Sequence, residues 1–110
     1  MKLSESKKSG ALVLSVSDRV DSITSPDLER RINELIVSGE RTIVVNLSGL
    51  SYISSAGLRI FLVSAKKLKS LGGKFLLCSL GGMVKEVFVM SGFADILSIY
   101  DTEEKALADG

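Results

Sequence analysis

The 110-residue chain is predicted to be a single α/β domain over residues 1–110, with a mixed, mostly parallel β-sheet and about four helices. Three observations predict this. Residues 42–47 (TIVVNL) and 74–80 (KFLLCSL) are short, nearly continuous apolar runs, the pattern of strands buried on both faces of a parallel sheet. Between such runs lie segments with helical apolar spacing, so strands and helices alternate. The length is that of one ordinary domain, roughly 100–150 residues, and 45% hydrophobic residues suffice for one core.

Each element follows from its residues. Residues 11–17 (ALVLSVS) alternate Leu12, Leu14 and Val16 against Val13, Ser15 and Ser17, which reads as a strand with one face more apolar. Residues 3–7 form a weaker partner strand, expected at an antiparallel edge. Ser25-Pro26-Asp27 opens a helix: serine as N-cap, proline at the first helical position, an acid in the first turn. Leu28, Ile32, Leu35 and Ile36 line one face, and Ser38-Gly39 ends it. The strand at 42–47 follows. Residues 48–55 carry no assigned element. A second helix is expected over 56–71, with Leu58, Phe61, Leu62, Ala65 and Leu68 inward, and Lys66, Lys67 and Lys69 outward. Gly72-Gly73 stops it. After the strand at 74–80, residues 83–90 read as a short helix with Val84, Val87 and Phe88 inward, closed by Ser91-Gly92. Residues 96–100 read as a last strand. Asp101 as N-cap and Glu104 at N3 resemble a capping box for a final helix.

Composition excludes several kinds of chemistry. With no His there is no Ser-His-Asp or Cys-His centre and no histidine metal site. One Cys allows no internal disulfide and no all-cysteine zinc site. A net charge of +1 argues against nucleic-acid binding driven by phosphate contacts. No segment approaches the ~20 apolar residues of a membrane helix. No secretory h-region is visible at the start, so a cytoplasmic protein without direct membrane insertion is expected. Neither GxGxxG nor GxxxxGK[ST] occurs. Ser64 to Lys67 fits S-x-x-K literally, but the accompanying S-D-N and K-T-G elements are missing, and a solvated helix face is the reading. Cys78 reads as a buried small hydrophobe.

In open α/β sheets functional groups gather at the carboxyl ends of strands. That points to residues 48–57, and secondarily to 18–26. Ser54-Ser55-Ala56-Gly57 is the distinctive segment. A helix N-cap explains one serine. The second offers an exposed hydroxyl beside unhindered backbone. A phosphoryl group there would meet the positive end of the second helix and add about −1.5 to −2 charges to the surface.

Residues 46–58 (NLSGLSYISSAGL) resemble STAS domains, specifically the stand-alone bacterial anti-sigma factor antagonists. Their hallmark is a strand ending in D/N-L-S, an aromatic-apolar step, then D-S-S/T-G-L-G. The resemblance covers nearly the whole chain. Val20-Asp21 stands at the L-D of the family's G-x-L-D turn, with Thr24 in the following loop. Residues 84–92, ending in Met90-Ser91-Gly92, look like its V-K-x-x-F-x-x-S-G helix.

The resemblance implies a STAS-like fold and a set of site residues. Ser55 falls at the phosphoacceptor position, with Ser54 as a rival one residue away. Asp21, Thr24, Ser54, Ser55, Ala56, Gly57 and Leu58 form the implied partner-binding set. Three departures stand out: Ser54 replaces an aspartate, Ala56 a Ser or Thr, and Asp18 the glycine of G-x-L-D. The implied function is a binding module that sequesters an anti-sigma factor serine kinase. That kinase would phosphorylate Ser55 and end binding, and a protein phosphatase would reset the switch. The domain would be an enzyme's substrate, with no catalytic residue, cofactor or metal of its own. The alternative is an unphosphorylated STAS subunit of a membrane lipid-transport or transporter complex. A small nucleotide-binding enzyme of flavodoxin type is disfavoured by the missing phosphate loop.

Overall fold

A computed structural model describes all of residues 1–110. In chain order the elements are β1 (Lys2–Lys8), β2 (Ala11–Val20), α1 (Ser25–Val37), β3 (Thr42–Asn46), β4 (Leu50–Ile53) and α2 (Ser55–Ser70). They continue with β5 (Lys74–Cys78), α3 (Gly82–Met90), a 3-10 turn at Phe93–Asp95, β6 (Ser98–Tyr100) and α4 (Glu103–Asp109). The fold is the expected α/β domain: a six-stranded sheet with four helices.

The strand order is β1-β2-β3-β5-β6, and β4 pairs with the far end of β2. Only the β1–β2 pair is antiparallel, so β1 is the edge expected of it. β2–β3, β3–β5, β5–β6 and β2–β4 are parallel.

Side-chain alternation divides the sheet into two faces. Leu12, Leu14 and Val16 of β2, Ile43 and Val45 of β3, and Phe75 and Leu77 of β5 face the main core with α1, α2 and α3. Phe61 of α2 sits at its centre, with ring centroids 6.1 Å from Phe75 and 6.3 Å from Phe88. Aromatic pairs at such spacing add about 0.5–1.5 kcal/mol beyond the area they bury. The opposite face is smaller. Ala11, Val13, Val44, Leu76 and Cys78 pack there under Ala106 of α4. Polar contacts hold α4 to that face: Glu103 accepts from Lys8 Nζ at 2.8 Å and from Asn46 Nδ2 at 3.0 Å, and Tyr100 Oη bonds to the Asp109 carboxylate.

The structure corrects several local expectations. Residues 48–55 contain a strand, β4, whose four residues bury only Leu50 and Ile53. The α1 cap is Thr24, because Ser25 is already helical and buried. The α4 cap is Thr102, whose hydroxyl accepts from Lys105 N–H at 3.2 Å, so the box imagined around Asp101 does not form. The last strand begins at Ser98, since Phe93–Asp95 turn as a 3-10 segment. Ser64 is buried in α2, contrary to the solvated-face reading. Lys66, Lys67 and Lys69 are exposed as expected, and Lys67 and Lys69 lie near the negative end of the helix dipole. Burial pushes the Cys78 thiol pKa up, which fits its part as a small hydrophobe.

Candidate functional site

The site is built where β2 runs past β3. β2 pairs with β3 only as far as Ser15, and from Asp18 onward it pairs with β4. The change of partner is made at a bulge, where the register shifts between Asp18 and Arg19. Asp18 there has φ +75°, a left-handed conformation that favours glycine. The residue that departs from the glycine of the G-x-L-D pattern therefore occupies a backbone suited to glycine. Aspartate is among the few side chains that tolerate it.

Beyond the bulge, Asp21 and Thr24 lock the loop into α1. Asp21 N–H donates to Thr24 Oγ1 at 2.9 Å, while Asp21 Oδ1 accepts from the N–H groups of Ile23 and Thr24, both at 3.0 Å. Thr24 Oγ1 also lies within reach of Asp21 Oδ1 and the Arg19 carbonyl, each at 3.2 Å. Hydrogen bonding to the charged form, first from the Thr24 N–H, holds the Asp21 carboxyl below the usual carboxylate range. Asp21 and Thr24 thus have an evident structural task in shaping this turn.

The second half of the site is the turn from β4 into α2. Ser54 is extended (φ −91°, ψ 172°) and caps α2, its Oγ accepting a long bond from Gly57 N–H at 3.4 Å. Ser54 N–H donates to the Val20 carbonyl at 2.9 Å. That bond ties this turn to the residue before Asp21, so the two loops flagged from sequence meet. Ser55, the first helical residue, is exposed, and its hydroxyl has no partner within the protein. Ala56 is half-buried, and Leu58 is anchored in the main core.

Gly57 is explained by contact. A Cβ there would lie 2.7 Å from Val20 Cγ1 and 2.8 Å from Ile53 Cγ1. Only glycine lets the first turn of α2 approach β2 and β4 so closely. Gly57 and Leu58 are thereby buried supports for the turn, while Ser55 is its accessible group.

Sequence reasoning missed three neighbours. The Arg19 guanidinium carbon lies 4.3 Å from the centroid of the Tyr52 ring, and Arg19 Nε is 3.7 Å from Asp21 Oδ2. Ile23, at the loop tip, is 83% exposed, and Tyr52 is 40% exposed. An isoleucine inside the polar run DSITS was the available signal. Tyr52 also borders a shallow apolar hollow of about 60 Å³ with Ile53, Met83, Val84 and Val87. A larger, open depression lies along α1, lined by Pro26, Glu29, Arg30, Asn33, Glu34 and Val37, away from the Ser54–Gly57 turn. No three His, Cys, Asp or Glu side chains come close enough to hold a metal ion. No helix is long and apolar enough to cross a membrane.

Comparison with known proteins places this arrangement. The chain is 40% identical over 108 residues to BtrV of Bordetella bronchiseptica, a protein assigned as an anti-sigma factor antagonist, covering 98% of this chain and 93% of that one. An anti-sigma factor antagonist from Mycobacterium paratuberculosis, known from its crystal structure, superposes with a TM-score of 0.90 at 25% identity, covering 98% of this chain and 92% of the other. The Bacillus cell fate determinant SpoIIAA, solved in its phosphorylated form, shares the fold at a TM-score of 0.73 and 22% identity, covering 98% of both chains. The family model of the STAS domain matches residues 3–106. With the match running from β1 into α4, the chain belongs to the STAS domain family.

Proposed function

We propose that this protein is an anti-sigma factor antagonist of the cytoplasm, switched by phosphorylation of Ser55. Unphosphorylated, it binds an anti-sigma factor that is also a serine kinase. The kinase transfers the γ-phosphoryl group of ATP to Ser55 Oγ, releasing ADP and the hydroxyl proton. The added charge ends the binding, and a phosphatase hydrolyses the ester to restore the serine and free phosphate.

One observation carries the choice of residue. Of the two adjacent serines, Ser54 spends its oxygen on the helix cap, while Ser55 is exposed with a free hydroxyl. Phosphorylating Ser54 would disturb the cap. Phosphorylating Ser55 places charge at the positive end of α2 without breaking a bond. The relatives' names support the partner class, since BtrV and the Mycobacterium paratuberculosis protein are both described as anti-sigma factor antagonists. A phosphorylated form of SpoIIAA fits the switch. In this reading the exposed Ile23 and Tyr52 beside the turn supply apolar contact to the kinase. The Asp21–Thr24 turn holds Ile23 in place.

The test is incubation with the cognate kinase and ATP, followed by peptide mass mapping. Phosphate on Ser55 alone is expected, with none on a Ser55→Ala variant. Phosphate on Ser54, or none on the wild type, overturns the assignment. Ser55→Ala should bind the kinase constitutively and escape switching. Normal regulation of that variant in the cell, together with copurification with a membrane ATPase, would favour an unphosphorylated subunit of a membrane transport complex.

A further inference from the structure

We infer that Arg59 is an internal clamp for the phosphate on Ser55, an inference that rests on the phosphorylation proposed above. Ser55 is the first residue of α2, and Arg59 stands four residues on, at the last position of the family hallmark, where that pattern has glycine. Residues at i and i+4 lie on one helix face, with Cβ atoms about 5–6 Å apart. Both are exposed, so they share the solvent side of α2. Helical side chains lean towards the N-terminus, which carries the Arg59 guanidinium back towards Ser55. An acid preceding a base by four residues is also the more favourable order along a helix.

Arg59 is free for this task. Every ion pair in the protein uses other residues. Arg19, in the adjoining loop, is engaged by Tyr52 and Asp21. The next bases on α2 begin at Lys66, about three turns beyond Ser55. No acidic residue lies in the first turn of α2 to compete for the guanidinium. Ser54 belongs to that account. It caps the helix as an aspartate would, but without charge, so the phosphate is the only anion Arg59 meets there. A planar guanidinium can take two phosphate oxygens at once. The clamp would draw the phosphate along the helix surface and favour its dianion.

The experiment installs phosphoserine at position 55 by genetic encoding, so that no kinase is needed. The second ionisation of the phosphate is then followed by phosphorus NMR in wild type, Arg59→Gln and Arg59→Lys. At low salt the wild-type value should lie below that of Arg59→Gln by roughly half a unit, as expected for an exposed pair. Arg59→Lys should fall between them, since it keeps the charge and loses the fork. At about 0.5 M salt the differences should shrink. Coincident titrations for wild type and Arg59→Gln at low salt overturn the clamp. Failure of the kinase to label Ser55, measured separately, overturns only the phosphorylation reading, because the titration needs no kinase.

Discussion

Replacing Gly57 by alanine tests whether close approach at the start of α2 holds the site together. The added methyl carbon would stand 2.7 Å from Val20 Cγ1, 2.8 Å from Ile53 Cγ1 and 3.3 Å from Ile53 Cδ1. The two shortest are roughly 1 Å inside ordinary carbon–carbon contact. Relief by side-chain rotation is limited, because both neighbours are β-branched and buried. Overpacking of this kind costs about 1–3 kcal/mol. Alanine returns about 1 kcal/mol of helix propensity in a helix interior, and less in the first turn. The balance is a loss of about 1–2 kcal/mol, or a fall in Tm of about 5–10 °C for a domain of this size. Thermal and urea unfolding followed by circular dichroism measure it, with an unchanged urea slope showing that the native state keeps its compactness. Adding Val20→Ala should make the pair cost about 1 kcal/mol less than the sum of the single changes. A Gly57→Ala protein as stable as wild type, or additive with Val20→Ala, would refute the packing argument.

Three further outcomes are expected. Asp18→Gly should raise stability by about 0.5–1 kcal/mol, because it relieves a left-handed residue. The urea midpoint reads this out, and a lower midpoint would mean the Asp18 side chain supports the bulge. Ser54→Ala should cost about 1 kcal/mol through the lost cap, whereas Ser55→Ala should stay within about 0.5 kcal/mol of wild type. Equal losses in denaturation would reject the division of labour between the two serines. Glu103 is held below the usual carboxylate range by the Lys8 ammonium and then by the Asn46 amide. A carboxyl with a depressed folded pKa contributes stability above its unfolded value, near 4.3, and loses it as the pH falls through the folded value. Glu103→Gln should therefore flatten the stability profile between about pH 5 and 3 relative to wild type, with unfolding midpoints across pH as the check.

The elements whose pattern was regular could be read directly from the chain. β3 and β5 are buried on both sides, so their apolar residues run on without interruption. α1 shows its buried stripe at Leu28, Ile32, Leu35 and Ile36. β4 was hidden for a physical reason. Its burial runs inward at Leu50, outward at Ser51 and Tyr52, and inward at Ile53, a spacing that departs from strand alternation next to a bulge. The caps at Thr24 and Thr102 were misplaced by one residue each, because Ser25 and Asp101 offer equally good capping chemistry and tertiary position decides. At the site, Ser54 to Leu58 could be located from spacing and resemblance. Their separate tasks could not: cap, free hydroxyl and packed glycine differ only in three dimensions. Arg19 and Tyr52 lie far apart in sequence, and their stacking depends on the β2–β4 register.

The bond from Ser54 N–H to the Val20 carbonyl has a mechanical meaning. It makes the α2 turn and the Asp21 turn one lever. A partner that grips Ile23 would pull on the serine pair through that loop, and under the proposed switch a group added at Ser55 would be felt at Ile23 by the same path. The Ser54 amide is the gauge of that linkage. Its exchange with deuterium should slow when either loop is held, even if the holding contact touches only the other.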